Sequence, residues 1–314
     1  MIEREMVEQA KKYDVITAFD ICVDFLMDLG NVMPEFGQVE KLVEGYELVM
    51  GGSACIFACQ CAKLGLKTTG AGSIGPDSMG TFMLNCLESA GVDIANIRQE
   101  SDKTGLTLCL TKAGGDRSIL TYMGVMDTVQ AAWLEELLPH TRHLHICSYY
   151  LLKRLQKSYP NLLKKAKELG VSVSLDTNWD PDETWDGGIR DVLPYVDIFL
   201  PNENELMNIT GKSNVEEALK YAGELVPIIA VKCGGDGAYA YCKGTIYKCE
   251  AMKIEVADTV GAGDSFDGGF VYGYLQGLSM EDCLKSGCTC GSLSATQAGG
   301  TKGQPKLDEL RKHI

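Results

Sequence analysis

Two aspartates flank a glycine-rich turn in the segment DTVGAGDSFDGGF, residues 258–270. The run that follows has apolar residues at helical spacing, so Gly261, Ala262 and Gly263 are predicted to stand at the start of a helix. The first turn of a helix has N–H groups without intrahelical partners, and the macrodipole adds partial positive charge there. Because Gly261 and Gly263 carry no side chain, a phosphate can approach these N–H groups closely.

The second carboxylate of this segment, Asp264, would lie beside such a phosphate, where like charge is unfavourable. A carboxylate is useful there if it accepts the proton of a hydroxyl group that attacks the phosphate. Phosphoryl transfer needs this combination of donors for the developing charge and a base for the nucleophile. The alternative from the residues alone is that Asp264 caps a helix after a glycine turn.

The composition limits the classes of function. The chain has 314 residues, enough for one large α/β unit or two ordinary domains, and 45% of them are apolar. Its net charge of −14 argues against a nucleic-acid partner, since binding a polyphosphate needs a basic surface. A small phosphorylated ligand stays compatible with an acidic protein, because a local cluster of backbone N–H groups can hold it.

Thirteen cysteines are present, but none forms a pair of C-x-x-C knuckles. Their placement on apolar stretches predicts reduced, mostly buried thiols and a reducing, cytoplasmic location. The segment MIEREMVEQAKKYD at the start is charged and lacks the apolar core of a signal peptide. No run of the sequence is apolar enough to span a membrane.

Strands and helices are predicted to alternate along the chain. The segment DVITAFDICVDFL (14–26) reads as one buried strand, and KTTGAGSIG, HLHICSYYL, VSVSLDTN, VDIFLPN and PIIAVKCG as further short strands. Helical spacing appears between them in SACIFACQCAKLG, MGTFMLNCLESAG, NLLKKAKELG and NVEEALKYAG. This alternation predicts an α/β fold with a mostly parallel sheet covered on both faces, in a single domain over residues 1–314.

Two regions interrupt this alternation. Residues 36–50 and 104–123 have the polar alternation of exposed strands, and Gly114-Gly115-Asp116 indicates a hairpin in the second. Hairpins inserted into a parallel scaffold are candidates for a lid over a site at the strand ends. The lid strands are therefore predicted from about 25–50 and 104–124.

The segment 258–270 resembles the C-terminal signature DTxGAGDxFxxGF of the PfkB, or ribokinase-like, family of carbohydrate kinases. Residues 51–80 are similar to the N-terminal signature of that family, with its double glycine and GxxGxDxxG ending. PNENEL (201–206) resembles the NxxE motif, and VKCGGDGA (231–238) the KxGxxG segment. The resemblance covers nearly the whole chain and implies a doubly wound α/β sandwich with a small β lid.

The resemblance also implies roles for single residues. Asp264 would be the general base, and the N–H groups of Gly261, Ala262 and Gly263 would form the anion hole for the transferred phosphate. Four positions match the sugar-binding side of the family: Asp24 at the expected end of the first strand, Gly51, Gly52 and Asp20. Six match the nucleotide side: Asn202, Glu205, Lys232, Gly234, Gly237 and Thr259.

Metal ions enter through the same resemblance. Asn202 and Glu205 match the motif that organises Mg²⁺, largely through water, near the phosphates of ATP. Lys232 precedes the nucleotide turn, with a solvated charge at a strand end as the alternative. Some members bind a monovalent cation such as K⁺. Its ligands here would be the Asp258 carboxylate, the Val260 carbonyl and carbonyl groups near Gly299.

Three residues bear on the choice of substrate. Ile56 stands where many members have an asparagine that hydrogen-bonds the sugar, which argues against ribose. Asp180 stands where several sugar kinases have an arginine, the usual partner of a carboxylate, and this disfavours a sugar acid. Arg117 in the predicted hairpin would replace that arginine, or it is an exposed hairpin charge.

The sequence thus predicts transfer of the ATP γ-phosphate to a hydroxymethyl group of a sugar or polyol, by a homodimer that pairs through its lid strands. One alternative is a nucleoside kinase of the same fold, with Tyr46 and Tyr122 available to stack on a base. Another is a non-catalytic sugar sensor. The segment GAGSIG (70–75) fits a dinucleotide-binding pattern, but Pro76 follows at once and the expected acidic residue is ambiguous.

Overall fold

The computed structural model describes residues 11–114 and 116–314. Its strands are β1 Tyr13–Ala18, β2 Cys22–Gly30, β3 Gly45–Met50, β4 Thr68–Ile74, β5 Ile97–Gln99, β6 Gly105–Lys112, β7 Arg117–Tyr122, β8 Thr141–Ile146, β9 Ser172–Leu175, β10 Ile198–Phe199, β11 Ile228–Lys232, β12 Ala238–Cys242 and β13 Thr245–Cys249. Its α-helices are α1 Ser53–Lys63, α2 Ser78–Ser89, α3 Ala131–Leu137, α4 Lys153–Gln156, α5 Tyr159–Glu168, α6 Ile189–Val192, α7 Glu203–Thr210, α8 Val215–Ala222, α9 Ala262–Leu275, α10 Met280–Ser294 and α11 Leu307–Leu310.

A nine-stranded sheet organises most of these elements, in the order β13-β12-β11-β10-β9-β8-β1-β4-β5. Its strands pair in parallel except at β11–β12 and β12–β13, which are antiparallel. Val15 and Ile16, adjacent on β1, belong to two different buried clusters, so the sheet is buried on both faces. The prediction of a mostly parallel sheet covered on both sides is confirmed.

The first predicted strand was wrong in its extent. The chain leaves the large sheet after β1 and enters the small sheet at β2, so residues 14–26 span two strands. Asp20 lies in the break, where its carboxylate accepts hydrogen bonds from the N–H groups of Ser53 and Ala54, each at 3.0 Å. These bonds satisfy the first turn of α1, and they require the chain to turn here rather than continue as a strand.

A four-stranded sheet has the order β3-β2-β6-β7. β2 and β6 pair in parallel, while the edge strands β3 and β7 are antiparallel to them. Within the predicted strand 36–50 only β3 is extended, because residues 36–44 form turns and irregular chain. The β6–β7 hairpin turns where the sequence predicts it, and Gly115 of that turn lies outside the described residues.

Two predictions from composition can be compared with the structure. All thirteen cysteines are free thiols and ten of them are buried, as predicted. In the part of the chain that the structure describes, no helix combines the length and the apolar character needed to cross a bilayer.

Candidate active site

A cleft of about 1300 Å³ opens where β9, β10 and β11 end and α9 begins. Open α/β sheets bind their ligands at this carboxyl edge. Nine of the residues singled out from the sequence line the cleft: Asn202, Glu205, Lys232, Gly234, Gly237, Thr259, Ala262, Gly263 and Asp264. Apolar side chains form another part of the wall: Val215, Leu219, Ile246 and Val256.

The start of α9 presents free N–H groups. Gly261 precedes the helix with φ 71°, and a Cβ atom there would lie 2.6 Å from the Cα of Gly300, so the position requires glycine. Ala262 donates its N–H to the Thr259 carbonyl at 3.3 Å. Within the described chain, the N–H groups of Gly261, Gly263 and Asp264 have no hydrogen-bond partner. Of the backbone 261–264 that is predicted to form the anion hole, only Ala262 thus has its N–H engaged within the described residues.

A buried lysine lies directly beneath this turn. The Nζ of Lys232 is 2.8 Å from Asp176 Oδ2 and 3.1 Å from both carboxylate oxygens of Asp267. Its side chain is only 13% exposed, so the alternative of a solvated charge was wrong. Burial opposes the charge, but Asp176 and Asp267 outweigh it and raise the pKa of Lys232. The ammonium group is therefore held by two carboxylates under the cleft.

Asp264 stands in the first turn of α9 with its carboxylate near this ion pair. Carboxylate oxygens of Asp264, Asp176 and Asp267 lie within 4.8 Å of one another, a spacing that suits a metal ion, but Lys232 already supplies positive charge to two of them. Burial first, and then the Asp176 charge, raise the pKa of Asp264 well above its usual value, while Lys232 opposes the rise. An ionised carboxylate in such a setting is a strong proton acceptor.

The predicted magnesium residues form the capping box of α7. Asn202 Oδ1 accepts from the N–H of Glu205 at 2.9 Å, and Glu205 accepts from the N–H and the side-chain amide of Asn202 at 2.9 and 2.7 Å. Burial and the Asp176 charge raise the pKa of Glu205 to about 7. Asn202 and Glu205 thus cap the start of α7. Each carboxylate oxygen of Glu205 still has a lone pair that can accept a hydrogen bond from water.

The glycine turn after β11 forms one wall of the cleft. Gly234 and Gly237 have φ values of 54° and 91°. A Cβ atom on Gly237 would lie 2.0 Å from the Cys249 carbonyl oxygen, so glycine is required there as well. The turn brings backbone to the cleft surface, as the resemblance implies for a nucleotide.

The predicted sugar-side residues lie beside the cleft, around Ser53. Asp24 is the third residue of β2 and does not end the first strand. A Cβ atom on Gly51 would lie 2.1 Å from Asp24 Oδ1, so Gly51 makes room for this carboxylate, whose burial raises its pKa to about 6. A Cβ atom on Gly52 would lie 2.4 Å from the carbonyl oxygen of Asp20. Asp20 itself is committed to the first turn of α1, so it has a structural role.

Ile56 and Asp180, two residues that bear on substrate choice, make their contacts with other parts of the chain. Ile56 is 3% exposed and packs against the 261 and 300 glycines, where it supports the anion-hole turn. Asp180 accepts hydrogen bonds from the N–H groups of Asp182, Thr184 and Trp185 and so closes its own loop. Neither side chain therefore indicates directly which sugar the protein binds.

Arg117 is an exposed residue of the predicted hairpin, and it also forms an ion pair that the sequence did not indicate. Its Nη2 donates to Asp258 Oδ1 at 2.8 Å, across 141 positions of sequence. Burial would raise the pKa of Asp258, but hydrogen bonds from Arg117 and from the N–H groups of Gly299 and Val260 hold it below its usual value. The carboxylate expected to bind a monovalent cation is thus paired with the small sheet.

Three of the cleft residues that were not identified from the sequence lie close together: Ser53, Asn178 and Trp179. Asn178 has φ 56°, donates from its amide to Ser53 Oγ at 2.5 Å, and has a buried Oδ1 without a partner in the described structure. The available signal was position, since Asn178 follows the carboxyl end of β9. Asp176 and Asp267 were missed for a different reason. Their buried ion pair with Lys232 joins distant segments, and such a contact produces no periodic pattern of residues in the sequence.

The dinucleotide-like segment 70–75 is mostly strand. Gly70 and Gly72 lie within β4, and a Cβ atom on either would come within 2.7 Å of the Phe19 side chain. These glycines therefore make room for the Phe19 side chain instead of a pyrophosphate, which removes the structural basis for reading this segment as a dinucleotide site.

Known proteins resemble this chain in sequence and in fold. The family model of pfkB family carbohydrate kinase matches residues 15–307. The chain is 27% identical to a 5-dehydro-2-deoxygluconokinase of Bacillus subtilis (strain 168), covering 98% of this chain and 97% of that protein. It is 26% identical to an ATP-dependent 6-phosphofructokinase of Thermoanaerobacterium thermosaccharolyticum, covering 98% and 95%.

Its fold resembles a putative ribokinase II from E. coli in complex with ATP and Mg²⁺, with a TM-score of 0.84 and 24% identity over 96% of this chain and 99% of that chain. The sheet order, the start of α9 and the family match over almost the whole length lead to one conclusion. The chain has the ribokinase fold and belongs to the pfkB family of carbohydrate kinases.

Proposed function

We propose that this carbohydrate kinase transfers the γ-phosphate of ATP to a hydroxymethyl group of a sugar or polyol, with Asp264 as general base. The observation that carries the proposal is the first turn of α9, where unpartnered N–H groups stand beside a carboxylate of raised pKa. Free N–H groups at a helix start bind an anion. A base next to that anion serves a hydroxyl nucleophile and has no use in a site that only binds sugar.

The residues divide between two substrates. The apolar wall and the turn 234–237 suit the base and phosphates of ATP, and the backbone at Gly51 and Gly52 suits a sugar whose hydroxyl groups Asp24 accepts. The attacking hydroxyl loses its proton to Asp264 as its oxygen bonds to the γ-phosphorus and ADP leaves. The free N–H groups at the start of α9 stabilise the charge on the transferred phosphoryl oxygens.

Mg²⁺ neutralises part of the phosphate charge when it is bound. Glu205 and Asn202 fit a role through water, because both line the cleft and a carboxylate has more lone pairs than the two that Asn202 occupies. In this proposal the two residues cap α7 and orient water for the ion at the same time.

The sugar is proposed only as a class. Relatives are named for a keto-deoxy-gluconate and for fructose phosphate. The argument from Asp180 against a sugar acid loses force, because that carboxylate is enclosed in its own loop. Both compounds therefore belong in the substrate panel, beside neutral sugars.

We also propose a homodimer through the small sheet. The support is apolar exposure on its strands and on the loop between β2 and β3, with Phe36, Leu42, Tyr46, Ile119 and Leu120 all at least 60% exposed. Exposed sheet edges favour pairing with a second copy. Sedimentation of the purified protein would give the dimer mass.

A substrate panel tests the proposed reaction. ADP release is measured with ribose, fructose, fructose 6-phosphate, 2-dehydro-3-deoxygluconate, 5-dehydro-2-deoxygluconate, inositol and adenosine, each with Mg-ATP. We expect one sugar or sugar acid to be turned over far faster than adenosine. A preference for adenosine would establish a nucleoside kinase instead.

The matched variants are Asp264→Asn and Asp282→Asn, the latter a partly exposed aspartate in the first turn of α10, outside the cleft. Loss of a general base is expected to lower kcat by about 10²–10⁴-fold while sugar binding persists. Near-normal turnover in Asp264→Asn would contradict the assignment, and Asp282→Asn should behave as the wild type.

A further inference from the structure

The carboxylate of Asp258 connects three parts of the molecule beside the start of α9. Its Oδ1 accepts the Arg117 guanidinium at 2.8 Å and the Val260 N–H at 3.1 Å, and its Oδ2 accepts the Gly299 N–H at 3.1 Å. The Asp258 side chain is 7% exposed and that of Arg117 is 33% exposed. The positive charge of Arg117, a residue of the small sheet, thus contacts a buried carboxylate in the rest of the protein, which we call the body.

The loops that Asp258 joins shape the anion-binding turn. Gly300 follows Gly299 and packs on Gly261, since a Cβ atom on Gly261 would lie 2.6 Å from the Gly300 Cα. On its other side Gly300 packs on Ile56, whose Cδ1 would be 2.6 Å from a Cβ atom there. A shift of the Asp258 carboxylate would therefore move the backbone against which Gly261 is fixed.

The residues present do not fit a monovalent cation at this point. A carboxylate offers about four lone-pair directions, and three of those of Asp258 are already taken. The guanidinium also supplies the single positive charge that balances this carboxylate. A second cation on the same oxygens would stand within a few ångströms of Arg117, where like charges repel.

We propose that Arg117 takes the place of the monovalent cation and positions the anion-hole turn through Asp258. An arginine stays charged at every physiological pH and cannot dissociate from the chain. Turnover then needs no K⁺, and the charge reaches its place only when β7 lies against the body. Arg117 is a positioning residue in this scheme, and the inference rests on the proposed kinase function.

A second ion pair offers a matched control. Lys302 contacts Glu47 of β3, so it also joins the small sheet to the body, at the opposite edge strand. Both partners are half exposed, at 51% and 40%, and neither of them contacts Asp258. Removing this pair tests loss of a lid contact without loss of the charge beside the anion hole.

The experiment compares wild type, Arg117→Gln and Lys302→Gln in KCl, NaCl and tetramethylammonium chloride at constant ionic strength. Wild-type kcat should vary less than about twofold among the three salts, and Lys302→Gln should follow it. Arg117→Gln should lose about tenfold or more in kcat in tetramethylammonium and regain part of it, saturably, with K⁺ or guanidinium. Melting of the ligand-free proteins gives a second readout, in which K⁺ stabilises Arg117→Gln alone.

Two results would overturn the inference. Saturable activation of the wild type by K⁺ would show that a cation site exists beside the ion pair. An Arg117→Gln variant with raised sugar KM, normal kcat and no response to cations in either readout would make Arg117 a substrate ligand. Absence of activity in all proteins would count against the kinase proposal, while the melting series would still decide whether K⁺ occupies the vacated charge position.

Discussion

Residues 70–72 and 261–263 have the same sequence, Gly-Ala-Gly, in two different settings. In β4 the glycines lie against the Phe19 side chain, within 2.7 Å of where a Cβ atom would stand. Before α9 the first glycine has a positive φ and the turn leaves N–H groups without partners, above the ammonium group of Lys232. The comparison shows that glycine makes room for a side chain in one case and leaves backbone N–H groups open to the cleft in the other. What separates them is whether the backbone N–H groups are already bonded.

Replacing Lys232 with methionine would put an apolar side chain beneath residues 261–263, as Phe19 puts one against residues 70–72. Two buried carboxylates would lose their cation, so the free energy of unfolding should fall by about 3–5 kcal/mol. Because Lys232 opposes the raised pKa of Asp264, the acid limb of kcat should also move to higher pH. Urea unfolding and a pH–rate profile measure the two effects.

Lys302→Met is the control for that variant, since Lys302 is half exposed and should cost less than about 1 kcal/mol. An unchanged acid limb in Lys232→Met would mean either that Lys232 does not act on Asp264 or that Asp264 is not the base.

Gly261→Ala tests the setting at the helix start more selectively. The new Cβ atom would face Gly300 at 2.6 Å in a backbone conformation that alanine rarely adopts, so the turn must shift. Loss of one well-placed donor should lower kcat by about 10²–10³-fold, measured with saturating substrates. Gly277→Ala is the comparison, because Gly277 also has a positive φ, of 70°, but lies outside the cleft with nothing within 4 Å of its Cβ position. Equal losses in both variants would argue against a special role for the Gly261 turn.

Gly72→Ala tests the Gly-Ala-Gly segment in β4 and should have the smallest effect on kcat and on stability. Its Cβ atom would lie 2.7 Å from the Phe19 Cβ, an overpacked contact expected to cost about 1–3 kcal/mol of unfolding free energy. The kcat of the folded fraction should not change, since β4 presents no ligand there. Gly45→Ala, with open space around its Cβ position, should unfold like the wild type. A large fall in kcat for Gly72→Ala would give residues 70–72 a function after all.

Much of the fold could be predicted from the sequence because strands and helices have different apolar periods. The buried parallel strand β11 reads as an apolar run, and helix starts carry polar caps such as Asp77 and Asn214. The break between β1 and β2 could not be predicted in this way. Its cause is the contact of Asp20 with the start of α1, more than 30 positions later in the chain.

The site was predictable where one short segment carries it and less so where distant segments meet. The turn before α9 holds its glycines and its carboxylate within a few residues, so local sequence shows them together. The pairing of Lys232 with Asp176 joins the ends of β11 and β9, and that of Arg117 with Asp258 joins the small sheet to the loop before α9. Which charges meet across such separations depends on packing, and local sequence carries no pattern for it.

The two ion pairs of the small sheet have a mechanical consequence. Arg117 fastens one edge strand to the body and Glu47 fastens the opposite edge strand through Lys302. Because both edge strands of the small sheet are attached, the sheet cannot rotate about one edge while the ion pair at the other edge stays intact. If the small sheet opens as a lid, we expect the half-exposed contact of Glu47 with Lys302 to break before the contact of Arg117 with the buried Asp258.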